Sequence, residues 1–128
     1  MRLLLDTHEP LWWWTDYSQL SAGARRAIAA PANSVFVSAA SAWELATKHR
    51  IGKLGEVGQA VSRFNELVAA DGFEHLAISY YHCLEAGGYA VDHRDPFDRM
   101  LAAQTALEGL VLVSRDPAFG LFGVAVLW

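Results

Sequence analysis

The sequence predicts an α/β domain, a three-layer α/β/α sandwich around a central, mainly parallel sheet. Three observations carry that prediction. Short apolar runs alternate with segments of helical periodicity along the whole chain. Those runs, such as LLL at 3–5 and LVLV at 110–113, are apolar at every position, as in strands covered on both faces. The joints carry start and stop residues, among them Ser21, Pro96, Gly52, Gly72 and Gly109. The 128 residues are read as one domain, 1–128, long enough to hold a core without disulfides.

Residues 2–6 form the first strand, stopped by Asp6. A helix is predicted over 8–16, and a second over 21–30, opened by Ser21. The β-branched run 34–38 is the next strand. The segment 39–50 is a helix ending near Gly52, and 56–70 carries apolar residues at helical spacing up to the stop at Gly72. A short strand at 73–78 and a short helix at 80–88 follow. Pro96 at the first helical position and Gly109 at the end bracket a helix over 96–109. A strand at 110–114, a helical turn at 117–123 and a last strand at 124–128 complete the chain.

The composition excludes several classes. One cysteine, Cys83, permits no internal disulfide and suits a reducing compartment. No apolar run reaches the roughly 18 residues of a membrane span, and MRLLLD meets an acid too early for a signal peptide. A cytoplasmic protein with no membrane contact is therefore expected. No Gly-Lys-Ser/Thr loop is present for a nucleotide, and the histidines and Cys83 lack zinc-ligand spacing. A net charge of −4 argues against a generic nucleic-acid surface.

Of four acids, most fall where a parallel sheet builds its site, and Asp98 could be brought there only by the start of a helix. Asp6 ends the first strand, Glu44 lies on the helix after the second, and Asp116 follows the strand at 110–114; Asp98 opens the helix leading into that strand. Each of the last three also has a local reading. Ser41 and Glu44 have capping-box spacing, Asp95-Pro96 would cap a helix with Asp98 near its positive end, and Asp116-Pro117 is another cap. Asp6 has no such reading, since an acid directly after three leucines gains nothing from burial. Four converging carboxylates would raise one another's pKa unless a cation sat among them, and hard divalent cations take oxygen ligands.

Five stretches, LLLDTH, VSAASAWELATKHRIGKL, HRDPFDRMLAAQ, LVLVSRDPAF and the terminal VLW, together resemble the PIN-domain ribonucleases. The closest resemblance is to the VapC-like toxins of bacterial toxin–antitoxin pairs, and it spans residues 2–128. It implies that Asp6, Glu44, Asp98 and Asp116 are the acidic quartet. Asp6, Asp98 and Asp116 would hold Mg²⁺, with Mn²⁺ an alternative, and Glu44 would orient water. Ser114 matches a hydroxyl common just before the last acid. The implied activity is metal-dependent hydrolysis of RNA phosphodiesters. The implied partners are RNA, a second copy of the chain in a homodimer, and an antitoxin peptide that wraps the first helices.

The bases available to the RNA backbone are Lys48, Arg50, Lys53, Arg94, Arg99 and Arg115, with Arg99 and Arg115 favoured because they flank site acids. Trp12, Trp13 and Trp14 fan over roughly 200° of the first helix, more than one core can cover. One is expected in the core and at least one on a partner surface. Glu9-Pro10 departs from the family, which has aliphatic residues there; Glu9 brings a fifth acid near Asp6 and is expected to make the partner surface more polar. The alternative function is a PIN fold kept as a binding module for a protein or RNA with little catalysis. A phospho-acceptor receiver fits less well, because Asp6 is followed by Thr7-His8 and no lysine occurs after Lys53.

Overall fold

The computed structural model describes residues 1–128. The chain runs β1 (Arg2–Leu5), α1 (Glu9–Thr15), α2 (Ala22–Ala29), β2 (Ser34–Ser38), α3 (Ala39–Arg50), α4 (Phe64–Ala70), β3 (Glu74–Leu76), α5 (Tyr80–Gly88), α6 (Pro96–Glu108), β4 (Val111–Val113) and β5 (Val126–Leu127). Three tighter 3-10 segments, Tyr17–Gln19, Gly55–Arg63 and Pro117–Phe122, join them.

The strands form one sheet in the order β3-β2-β1-β4-β5, and every neighbouring pair is parallel. The alternation of side chains along a strand divides the core in two. Leu3 and Leu5 face one side with Val35, Val37 and Val113, where Leu11, Ala24, Ile28, Leu45, Phe64 and Val68 pack over them. Leu4 and Leu112 face the other side, covered by Leu101 and Ala102 of α6 and by Phe119 and Phe122. Leu3, Leu4 and Leu5 of β1 are thus fully buried on both sides of the sheet, which is why that run is apolar throughout.

The predicted helix over 56–70 is in fact two pieces, a 3-10 segment to Arg63 followed by α4. At Gly58 the backbone passes so close to the His49 ring that any Cβ would collide with it. The close approach needs glycine and fixes Gly55–Arg63 against the end of α3. The predicted α2, α3 and α6 match the structure to within a residue, and Gly109 ends α6 in the left-handed conformation at φ 63°.

Candidate functional site

Asp6 follows the last residue of β1 and Ser114 the last of β4, so both stand at the carboxyl edge of two paired strands. The chain order reverses there: β2 and β3 extend the sheet to one side of β1, β4 and β5 to the other. Open α/β sheets form their crevice at such a point. The Asp6 amide donates to Val113 O at 3.0 Å and pins the turn to the sheet. Its Oδ1 accepts the Thr7 amide at 2.7 Å and its Oδ2 accepts the Ser114 hydroxyl at 2.7 Å. Burial pushes the Asp6 carboxyl above the usual carboxylate range. These hydrogen bonds pull it down, and the charges of Glu44 and Asp116 push it up again.

Glu44 reaches the same edge from α3. Ser38, not Ser41, caps this helix, by accepting the Ala40 amide at 3.0 Å. Ser41 and Glu44 therefore lie inside the helix, and the capping-box reading fails. Both are buried. Glu44 Oε1 accepts the Thr7 hydroxyl at 2.8 Å, and Oε2 pairs with Lys48 Nζ at 2.7 Å.

At the start of α6, Asp95 is the cap, accepting the amides of Phe97 and Asp98 at 2.9 and 3.1 Å. The Asp98 carboxyl is thereby free for another partner, and His93 Nε2 meets its Oδ2 at 2.8 Å. Burial raises the Asp98 carboxyl to about 6, with Asp95 and Asp6 adding to the rise against the hydrogen bond from His93. Asp116 does cap the 3-10 segment after it, accepting the Ala118 amide at 2.9 Å. It also lies within charge reach of Asp6, and its own amide donates to the Ser114 hydroxyl at 3.0 Å.

Asp6 is thus the centre of the quartet: it feels Glu44 and Asp116, and Asp98 feels it. The donors gathered there are carboxylate and hydroxyl oxygens, the chemistry of a hard divalent cation rather than of zinc. As placed, each carboxylate is turned to a protein donor. No three His, Cys, Asp or Glu side chains stand close enough together to hold a metal ion without moving.

Two expectations are corrected. Arg99 is not available to RNA. Its guanidinium donates to the carbonyls of Ala86, Gly87, Tyr89, Val91 and His93, at 2.6 to 3.4 Å, and ties the α5–α6 connection to α6. Glu9 is not on a partner surface. It is 2% exposed, its Oε2 has no hydrogen-bond partner, and burial with help from Asp6 pushes its carboxyl up to about 9. Arg115 is exposed, lying 4.4 Å over the Trp12 ring. The groups that sequence reasoning left out are Thr7 and His8. Thr7 bridges toward Glu44 and Ser41, and His8 Nε2 meets Lys48 Nζ at 3.2 Å. The i, i+4 spacing of Glu44 and Lys48 was the signal for the latter cluster.

The PIN-domain family model matches residues 3–123. No curated protein matches the chain significantly. The fold is similar to the crystal structure of VapBC2 from Rickettsia felis bound to a DNA fragment from their promoter. That match has TM-score 0.70 and 15% identity, and covers 99% of this chain and 98% of the other. It is also similar to FitAcB from Neisseria gonorrhoeae, with TM-score 0.59, 19% identity and coverage of 98% and 96%. A domain of a functionally unknown protein from Methanocaldococcus jannaschii matches with TM-score 0.58, 14% identity and coverage of 99% and 89%. At these identities the likeness is one of fold. The family model covers nearly the whole chain, and the chain belongs to the PIN-domain family.

Proposed function

We propose that the protein is a metal-dependent endoribonuclease acting as the toxin of a toxin–antitoxin pair. What supports this reading is the placement of Asp6 within charge reach of Glu44 and Asp116, and of Asp98 within charge reach of Asp6, so that like charges oppose ionisation of Asp6 and Asp98. Such an arrangement is costly for folding and is relieved by a cation. Asp6, Asp98 and Asp116 would hold Mg²⁺ or Mn²⁺, after turning from their present donors. When bound, the ion supplies a Lewis acid that eases deprotonation of the attacking water and offsets charge on the phosphate oxygens. Ser114 and the Thr7 amide orient Asp6 from both sides. Glu44, held by Thr7 and Lys48, orients the water. Water attacks phosphorus and the bond to the 3′-oxygen breaks, leaving a 5′-phosphate and a 3′-hydroxyl.

The similarity in fold to VapBC2 and FitAcB supports a cognate antitoxin as partner. The purified protein should cleave single-stranded RNA with Mg²⁺ or Mn²⁺ and stop with EDTA, and Asp6→Asn should abolish cleavage with the fold intact. Undiminished cleavage in Asp6→Asn would remove this site from the reaction.

A second reading, a PIN fold that binds a partner with little catalysis, is favoured by one observation: the neutral, buried Glu9 beside Asp6. Calorimetric titration with Mn²⁺ separates the two. No Mn²⁺ binding and no cleavage would leave the binding module.

A further inference from the structure

Lys48 is the one lysine or arginine whose side chain directly contacts an acid of the quartet. Its ammonium lies 2.7 Å from Glu44 Oε2 and 3.2 Å from His8 Nε2. His8 in turn stacks on Trp12, their ring centroids 6.0 Å apart. An ammonium only donates, so His8 Nε2 is the acceptor of this contact. An ammonium has three N–H donors. Two are used by Glu44 and His8, and with the side chain 32% exposed the third is left for a partner from solvent.

The other bases near the acids are spent differently. Arg99 is consumed by backbone carbonyls. Arg115 lies over Trp12 with an N–H on Gln19 Oε1 at 3.3 Å. A phosphodiester entering a cluster of four acids needs a fixed cation besides the metal, and Lys48 is placed to be that cation. Glu44 has both oxygens satisfied inside the protein, by Thr7 and by Lys48. Glu44 thus also anchors Lys48.

We infer that Lys48 is a substrate-binding residue of this site: its ammonium, fixed by Glu44 and His8, contacts a non-bridging oxygen of the RNA phosphate. The inference rests on the nuclease reading above and names a further residue within it. Glu44 and His8 are then positioning residues for Lys48. The alternative is that the pair with Glu44 is only a helix-surface ion pair one turn apart.

The test compares wild type, Lys48→Met, Lys48→Arg and, as a control far from the acids, Arg63→Gln. Four quantities are measured: KM and kcat on a labelled single-stranded RNA of mixed sequence; the salt dependence of RNA affinity; Mn²⁺ affinity by calorimetry; and melting in EDTA. Each phosphate contact to single-stranded RNA contributes about 0.7 to the slope of log affinity against log salt. Lys48→Met should raise KM about tenfold and reduce that slope by about 0.7. Mn²⁺ should bind as well or better, because a neighbouring positive charge is gone. Lys48→Arg should restore most of the slope, and Arg63→Gln should match wild type. An unchanged slope and KM in a folded Lys48→Met protein that still cleaves would overturn the inference and leave the nuclease reading standing. If wild type neither binds nor cleaves the RNA, the nuclease reading falls and this inference with it.

Discussion

Glu9 holds a buried carboxyl with one oxygen unpaired, three residues after the central acid of the site. In the unfolded chain it ionises near 4.5; in the folded protein it does so near 9. Between these values the folded state carries the extra proton, so stability falls as pH rises through that window. Glu9→Met removes the group and keeps its unbranched shape. The variant should be more stable than wild type at about pH 8, by on the order of 2 kcal/mol, with the gap closing at about pH 4. Urea unfolding at the two pH values checks this, and a gap independent of pH would show that packing, not ionisation, sets it. Asp95 and Asp98 divide two roles that share one helix start. Asp95→Ala should lose a cap worth about 1 kcal/mol and spare cleavage. Asp98→Asn should abolish cleavage. It should also raise stability slightly above pH 6, because the raised carboxyl costs stability progressively as pH climbs from its ordinary value to about 6. Cleavage retained in Asp98→Asn would exclude it from the site.

At the scale of elements, Arg99 does for the α5–α6 connection what a strand ladder does for a sheet. Five carbonyls with no other secondary structure to satisfy them turn to one guanidinium. The same connection carries His93 onto Asp98. Arg99→Met should therefore destabilise by roughly 3 kcal/mol. Exchange of amide hydrogens across residues 87–93 should rise more than elsewhere, and unchanged exchange there would show that the connection holds itself. Nothing local in HRDPFDRM announces this role, since the carbonyls come from residues six to thirteen positions upstream. The legible features were those written in adjacent residues: Ser21 and Asp95 as caps, Gly109 as a stop, and apolar strands covered on both faces. The break at Gly55–Arg63, within which His49 closely approaches Gly58 across two elements, was not legible. Periodicity alone favoured one helix. Glu9 was misplaced for a similar reason: its burial depends on the packing of α1 against the sheet, and a charged side chain at a helix start usually faces water.

At the scale of the whole molecule, the net charge of −4 bears on the proposed polyanionic substrate. The site acids are gathered at the point where the sheet order reverses, and Lys48 and Arg115 flank them. No helix is long and apolar enough to cross a membrane. The tryptophan fan is shared out more evenly than its spacing predicts. Trp12, Trp13 and Trp14 are all half-buried against the larger core, and none faces it alone. Trp13 meets Tyr17 and Phe73, while Trp14 meets Phe64 and donates to Asp71 Oδ2 at 2.6 Å. A glutamate at Trp13 or Trp14 should therefore weaken folding itself and be a poor probe of association. Trp43 is the better probe. It is 64% exposed on α3 and rests edge-on against Phe97 at 5.0 Å, while Tyr80, Tyr81 and Leu84 stand exposed on α5. Apolar surface of this kind on a small domain fits an interface, and aromatic side chains are its usual anchors. Trp43→Glu should leave circular dichroism unchanged and lower melting only slightly, because most of the ring is already in water, yet weaken self-association in light scattering. An identical molecular mass for wild type and variant across a concentration series would show that Trp43 is not at a contact between copies.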